Sequence, residues 1–170
     1  MSGTTENTPK RDLESSLHAD DKLALRVWLR LLTCSNLIEQ QVRSGLRRDF
    51  STTLPRFDVL AQLDRAPDGM TMGQLSSHLM VSNGNITGLI DRLVQEGLVT
   101  RSPAPGDRRT QMVRLNDAGK LALNEMLPVH EKWIVDMLAG FEREDMSALL
   151  DQLACLKDSL ETSLNQGENG

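Results

Sequence analysis

Residues 71–115 read TMGQLSSHLMVSNGNITGLIDRLVQEGLVTRSPAPGDRRTQMVRL, and this stretch decides the fold. Thr71 is a residue type that caps helix N-termini, and Leu75 and Leu79 follow at i and i+4. A short helix is therefore expected to start there and bury both leucines. Met80 and Val81 make the turn and Ser82 is the next cap. From it Ile86, Leu89, Ile90, Leu93 and Val94 share one face at helical spacing, leaving Asn83, Thr87 and Asp91 as an outward stripe flanked by Asn85 and Gly88. Gly97 closes this second helix as a C-cap. Leu98 to Arg101 and Gln111 to Leu115 then read as strands. Pro103, Pro105 and Gly106 force a turn between them, with Asp107, Arg108 and Arg109 at its tip.

Two short helices followed at once by a hairpin have the proportions of a winged helix-turn-helix, which predicts a mainly α fold with a small β-wing. In such a fold the N-terminal half of the second helix meets base edges in the major groove, so Asn83, Asn85 and Thr87 are the base-reading candidates. Ser82 and Arg108 are placed on phosphate, and Arg109 in the narrow, negative minor groove. Asp107 is expected to pair with Arg92 of the reading helix and fix the wing. Standing alone, the charged loop reads first as a solvated surface turn.

The order of residues carries a family resemblance. Leu75 and Leu79 are followed by the run from Ser82 to Leu93, by Glu96-Gly97-Leu98-Val99, by Asp107-Arg108-Arg109, and by Leu115-Asn116-Asp117-Ala118-Gly119. This pattern resembles the multiple-antibiotic-resistance regulator (MarR) family, and long helices on both sides extend the likeness over nearly the whole chain. The resemblance implies a homodimeric repressor whose grip on a pseudo-palindromic double-stranded DNA operator is lowered by a small ligand. Members often have a basic residue where this chain has Gly88, so one base or phosphate contact is missing. The wording LPRFDVLAQLDRAPDGMTMGQLSSHLMVSNGNITGL further resembles the branch that controls catabolism of aromatic acids such as hydroxycinnamates, where an acyl-CoA thioester can be the inducer. The family's ligand crevice lies between the dimerisation helices and the winged domain. There Trp28 would supply an apolar wall, and Arg30 or Arg56 would pair with a carboxylate or phosphate; the duller readings are a core tryptophan and solvated arginines.

Outward from the reading core, residues 1–19 form a polar arm without periodicity. Residues 20–50 form a dimerisation helix capped by Asp20, with an apolar stripe of Leu23, Val27, Leu31, Ile38, Val42 and Leu46. Residues 51–115 make the winged domain, whose first helix starts at Thr53-Leu54-Pro55, buries Phe57, Val59, Leu60 and Leu63, and ends at Ala66 to Gly69. Residues 116–165 return to helix from an Asn116 cap, with Pro128 expected to kink or split it and Gly140 to end it. Glu142 to Leu164 then carries Leu149, Leu153, Leu156, Leu160 and Leu164. That stripe needs a second copy of the chain, and pairing with the partner's first helix gives a twofold dimer. Packing on its own first helix is the rival. Residues 166–170 make a disordered tail.

The 170 residues carry a net charge of -5, unevenly placed. Residues 71–115 hold 5 basic and 3 acidic side chains and residues 116–170 hold 4 and 11, so the reading segment is the cationic one. With no apolar run long enough for a membrane or a signal peptide, the chain is expected to be cytoplasmic. Cys34 and Cys155 are expected as buried, inert thiols, against the alternative of a redox-sensing repressor acting through Cys34. His18, His78 and His130 are scattered, so neither a metal nor another cofactor is expected beyond the small aromatic or acyl-CoA effector; His130 is given no role. Ser76-Ser77-His78 lacks an acid partner and a strained elbow, which argues against catalysis. A helical module that uses the winged fold to bind another protein remains the other class.

Overall fold

The computed structural model describes residues 22–79, 83–104 and 106–167. In chain order they carry α1 (Leu23–Phe50), α2 (Leu54–Asp64), β1 (Met70–Thr71), α3 (Met72–His78), α4 (Asn83–Gln95), β2 (Val99–Ala104), β3 (Asp107–Leu115), α5 (Asp117–Leu138) and α6 (Arg143–Gly167). They fall into two compact units, one reaching His130 and one starting at Glu131.

The first unit has a single apolar core. Val42 and Leu46 enter it from the end of α1, Phe57, Val59, Leu60 and Leu63 from α2, and Leu75 from α3. Ile86, Ile90 and Leu93 come from α4, Val99 and Val113 from the sheet, and Leu123 and Met126 from α5. Each such aliphatic side chain contributes about 1.5–3 kcal/mol by leaving water. Local signals set the ends of the elements. Thr71 Oγ1 accepts from the Gln74 amide at 3.2 Å while Gln74 Oε1 accepts from the Thr71 amide at 2.8 Å, a reciprocal cap that starts α3. After α4, Gly97 takes a left-handed φ of 71°, the Leu98 amide donates to the Leu93 carbonyl and the Gly97 amide to the Val94 carbonyl. This C-terminal lock turns the chain sharply into β2.

Asn116 then joins three segments. Its Nδ2 donates to the Gly97 carbonyl at 2.7 Å and its Oδ1 accepts from the Gly119 amide at 2.9 Å, so one side chain caps α5 and ties it to the end of α4. Gly119 is required by close approach, since a Cβ there would collide with the Leu98 carbonyl oxygen.

The sheet runs β1-β3-β2, antiparallel throughout. Its edge strand β1, pairing Met70 with Val113 and Thr71 with Met112, was not expected, because two residues have no period to detect. Both wing strands extend beyond their expected ends, toward Ala104 and back to Asp107. α4 opens at Asn83; its expected cap Ser82 lies outside the described residues, as do the Met80-Val81 turn and Asp20. Leu79 and Leu89 are only part-buried and Val94 is exposed, so the expected inward face of α4 narrows to Ile86, Ile90 and Leu93.

α5 runs through Pro128 as one helix, so of the kink or split expected there the split does not occur. The missing amide and the ring clash cost about 3 kcal/mol, which burial of Leu123 and Met126 just upstream offsets. On α1 only Val42, Gly45 and Leu46 are buried, whereas Leu23, Leu25, Val27, Trp28, Leu32 and Leu37 are exposed. Cys34 lies in this uncovered half and is exposed rather than buried, as is Cys155 on α6.

In the second unit α6 carries Glu144 and Asp145 in its first turn, where the helix dipole favours carboxylates. Leu149, Leu153, Leu160 and Leu164 of its stripe are exposed, Leu164 by 71%, and only Leu156 is partly covered. Among the described residues no helix is long and apolar enough to cross a membrane.

Candidate nucleic-acid interface

The periodicity of α4 separates two jobs. Ile86, Ile90 and Leu93 are fully buried and fix the helix to the core, while Gly84, Asn85, Thr87, Gly88, Asp91 and Arg92 lie on its exposed side. Asn83 is the first residue of the helix; its side chain, like all of Ser82, is outside the described residues. A groove of about 470 Å³ runs between the start of α2 and the outer face of α4, lined by Thr53, Pro55, Gly84, Asn85, Gly88, Leu89 and Arg92. A Cβ added at Gly84 or Gly88 would meet nothing within 4 Å, so both glycines leave open floor beside the polar candidates.

Ion pairs hold α4 on two sides. Arg56 of α2 pairs with Glu96 just beyond the end of the helix, and Arg101 of β2 pairs with Asp91, Nη2 to Oδ1 at 2.8 Å. Arg56 is thereby occupied by a carboxylate of this chain. Sequence reasoning missed Arg101 because its partnership depends on strand register.

The wing is built differently from expectation. β2 and β3 pair regularly from Val99↔Leu115 to Pro103↔Gln111, and then the register jumps to Ala104↔Asp107. Arg108, Arg109 and Thr110 are thrown out of the ladder as a bulge, and Gly106 turns the chain into β3 at φ 80°. Asp107, Arg108 and Arg109 therefore open β3 instead of forming a loop tip. Asp107 does not pair with Arg92. Its Oδ2 accepts from the Thr110 hydroxyl at 2.7 Å and its Oδ1 from the Arg109 amide at 2.9 Å. The Thr110 bond foremost, then the backbone amides, hold its carboxyl below the ordinary aspartate range. An Asp followed three residues later by Thr is a turn-forming spacing that could have been read from the sequence. The bulge is thus fixed by its own residues, and Arg109 is left exposed at its crest. Behind it, Arg114 Nη1 donates to Ser102 Oγ at 2.9 Å across the strands.

The effector candidates are more scattered. Trp28 is 57% exposed on α1, so within one chain it is not core, and Arg30 is exposed near it in sequence. Neither described groove includes Trp28, Arg30 or Arg56. A second groove, about 380 Å³, follows α1 along Asn36, Glu39, Gln40, Arg43, Ser44 and Arg47. Glu39 and Arg43 pair one turn apart. Burial pushes the carboxyl of Asp58 on α2 up to about 6, with Arg43 drawing it down and Glu39 adding to the rise. His130 packs on Phe57 with ring centroids 4.8 Å apart, and burial lowers its pKa. Among the described residues no three His, Cys, Asp or Glu side chains form a metal-binding group.

Known proteins share this fold. Residues 52–110 match the model of the MarR family. The transcriptional activatory protein BadR of Rhodopseudomonas palustris is 29% identical over 160 residues, 92% of this chain and 90% of its own length. An HTH-type transcriptional regulator of Bacillus cereus is 32% identical over 109 residues, 64% of this chain and 71% of its own length. Among solved structures, Sco3205 of Streptomyces coelicolor, a MarR family regulator crystallised with DNA, superposes with a TM-score of 0.71 at 20% identity, covering 85% of this chain and 91% of that one.

Proposed function

This chain belongs to the MarR family of transcriptional regulators, which are not enzymes, and on that premise we propose that it is a homodimeric, ligand-responsive repressor of a pseudo-palindromic operator. One observation carries the DNA-reading part. α4 is anchored by three fully buried side chains while its other face, with Asn85 and Thr87, is exposed beside a self-locked wing that lifts Arg109. Asn85, Thr87 and Asn83 would read bases, Ser82 and Arg108 would hold phosphate, Arg109 would enter the minor groove, and Arg92 would act from the groove wall. The fold that holds DNA in Sco3205 supports that assignment.

The uncovered apolar halves of α1 and α6 support a twofold partner. Two copies of α4 must then stand about 34–36 Å apart to enter successive major grooves. A ligand favouring another spacing would release the operator without touching DNA. The effector proposed is a small aromatic acid or its acyl-CoA thioester, on the resemblance of residues 54–89 to the aromatic-acid branch. Trp28 and Arg30 are its candidate contacts, and Arg56 would serve only by exchanging Glu96 for the ligand's acid group. Because BadR is described as an activatory protein, activation from a suitably placed site is the second reading.

Arg109→Ala tests the central claim. Fluorescence anisotropy with a labelled promoter duplex from the protein's own locus should show binding weakened about 10- to 100-fold, while sedimentation still reports a dimer. Unchanged DNA affinity would favour a protein-binding module instead.

A further inference from the structure

We propose that Asp91 and Arg101 form a neutralising pair that lets α4 approach DNA, Arg101 being a positioning residue that acts through Asp91 and not a phosphate ligand. The inference rests on the DNA-reading proposal above. Asp91 is the acidic residue within α4, and half of its side chain is exposed on the outward stripe. An uncompensated carboxylate there would stand against the phosphate backbone as the helix enters the groove. Arg101 answers it from the wing.

Arg101 is turned inward by register. It lies opposite Val113 on β3, and directly opposed residues of an antiparallel pair share a face of the sheet. Val113, like Val99 two positions before Arg101, is buried, so this face looks toward the core and α4. The Nε and Nη2 of Arg101 are themselves buried. Nη2 sits 2.8 Å from Asp91 Oδ1 without the alignment of a good hydrogen bond, so the contact is mainly charge on charge. With these two donors buried against the protein and facing Asp91, Arg101 is turned away from a phosphate contact, in contrast to the exposed Arg109 of the same wing.

Anisotropy titrations over a range of salt, with the same labelled promoter duplex, test this. Arg101→Met should weaken binding about 10-fold with the salt slope unchanged, Asp91→Asn alone should stay within about 2-fold, and the double variant should return to within about 3-fold of the original. Arg101→Lys, which keeps the charge, should also bind within about 3-fold and guards against a folding defect in the methionine variant. A loss that persists in the double variant with the slope reduced by about one would make Arg101 a phosphate ligand. A tenfold loss from Asp91→Asn alone would make Asp91 a base reader. Either result overturns this inference only, whereas an unsubstituted protein that ignores the duplex even in dilute salt overturns the DNA-reading proposal with it.

Discussion

α4 and α6 are both amphipathic, yet within one chain their apolar stripes meet opposite fates. Ile86, Ile90 and Leu93 of α4 are fully buried, whereas Leu149, Leu153, Leu160 and Leu164 of α6 remain exposed. The difference is one of available partners. α4 lies between α2, α3 and β2, all within a few dozen residues of it. α6 has leucines at regular spacing and little of its own unit to cover them. A stripe thus states that a helix needs a partner; where the partner comes from is decided by topology. α1 contains both situations, with its front half uncovered and Val42 and Leu46 buried near its end.

Matched truncations should break that symmetry most strongly. Ile90→Ala removes a fully buried side chain from the closed core and is expected to lower stability by about 3 kcal/mol, read as a lower urea midpoint at every protein concentration. Leu160→Ala should leave the unfolding of the first unit within about 0.5 kcal/mol but shift self-association to higher concentration in sedimentation velocity. If Leu160→Ala were as costly to the isolated chain as Ile90→Ala, α6 would be covered from within and the proposed dimer surface would lie elsewhere.

The same distinction governs what could be read in advance. The buried face of α4, the Thr71 cap, the Gly97 lock and the Asn116 cap were legible because each depends on residues within one or two helical turns. The partners of charged residues were not. Asp107 turned to Thr110 and the Arg109 amide, leaving Arg92 on the groove wall, because a three-residue slip between β2 and β3 paired the aspartate with Ala104 and set a bulge beside it. Asp91 looked like part of a free outward stripe until strand register placed Arg101 against it. β1 was invisible for want of length, and Cys34, expected as a buried thiol, is exposed on the part of α1 whose cover is not in the chain.

Asp58 of α2 reports on the stretch of α1 that carries Glu39 and Arg43, just ahead of its buried end. Burial first, opposed by Arg43 and assisted by Glu39, raises its carboxyl from 3.8 to about 6. The folded pKa is the higher one, so the contribution of Asp58 to stability is fully present below about pH 4 and is lost as pH rises through about 6. Because the group is only part-buried, solvent screening reduces the effect to about 1 kcal/mol. Asp58→Asn should therefore match the original protein near pH 4 and exceed it by about that amount at pH 7, a difference taken from paired urea melts. A gap that shrank toward neutral pH would mean that the Arg43 attraction outweighs burial.

The smallest effect is expected on the open floor of α4. Gly88 sits in the middle of the helix, and a Cβ there meets nothing within 4 Å. Gly88→Arg replaces a residue that disfavours a helix interior with a good helix former, so stability should rise by about 0.7–1 kcal/mol. The added guanidinium projects into the groove shared with Thr53 and Pro55. On the proposed reading it meets phosphate or a base edge, and the salt slope of operator binding should steepen by about one. The two outcomes are separable. A higher melting temperature with an unchanged slope would show that this face of α4 lies away from the duplex, which would move the reading surface toward the wing. A steeper slope without tighter discrimination among operator sequences would place the new side chain on the backbone, leaving base selection to Asn85 and Thr87.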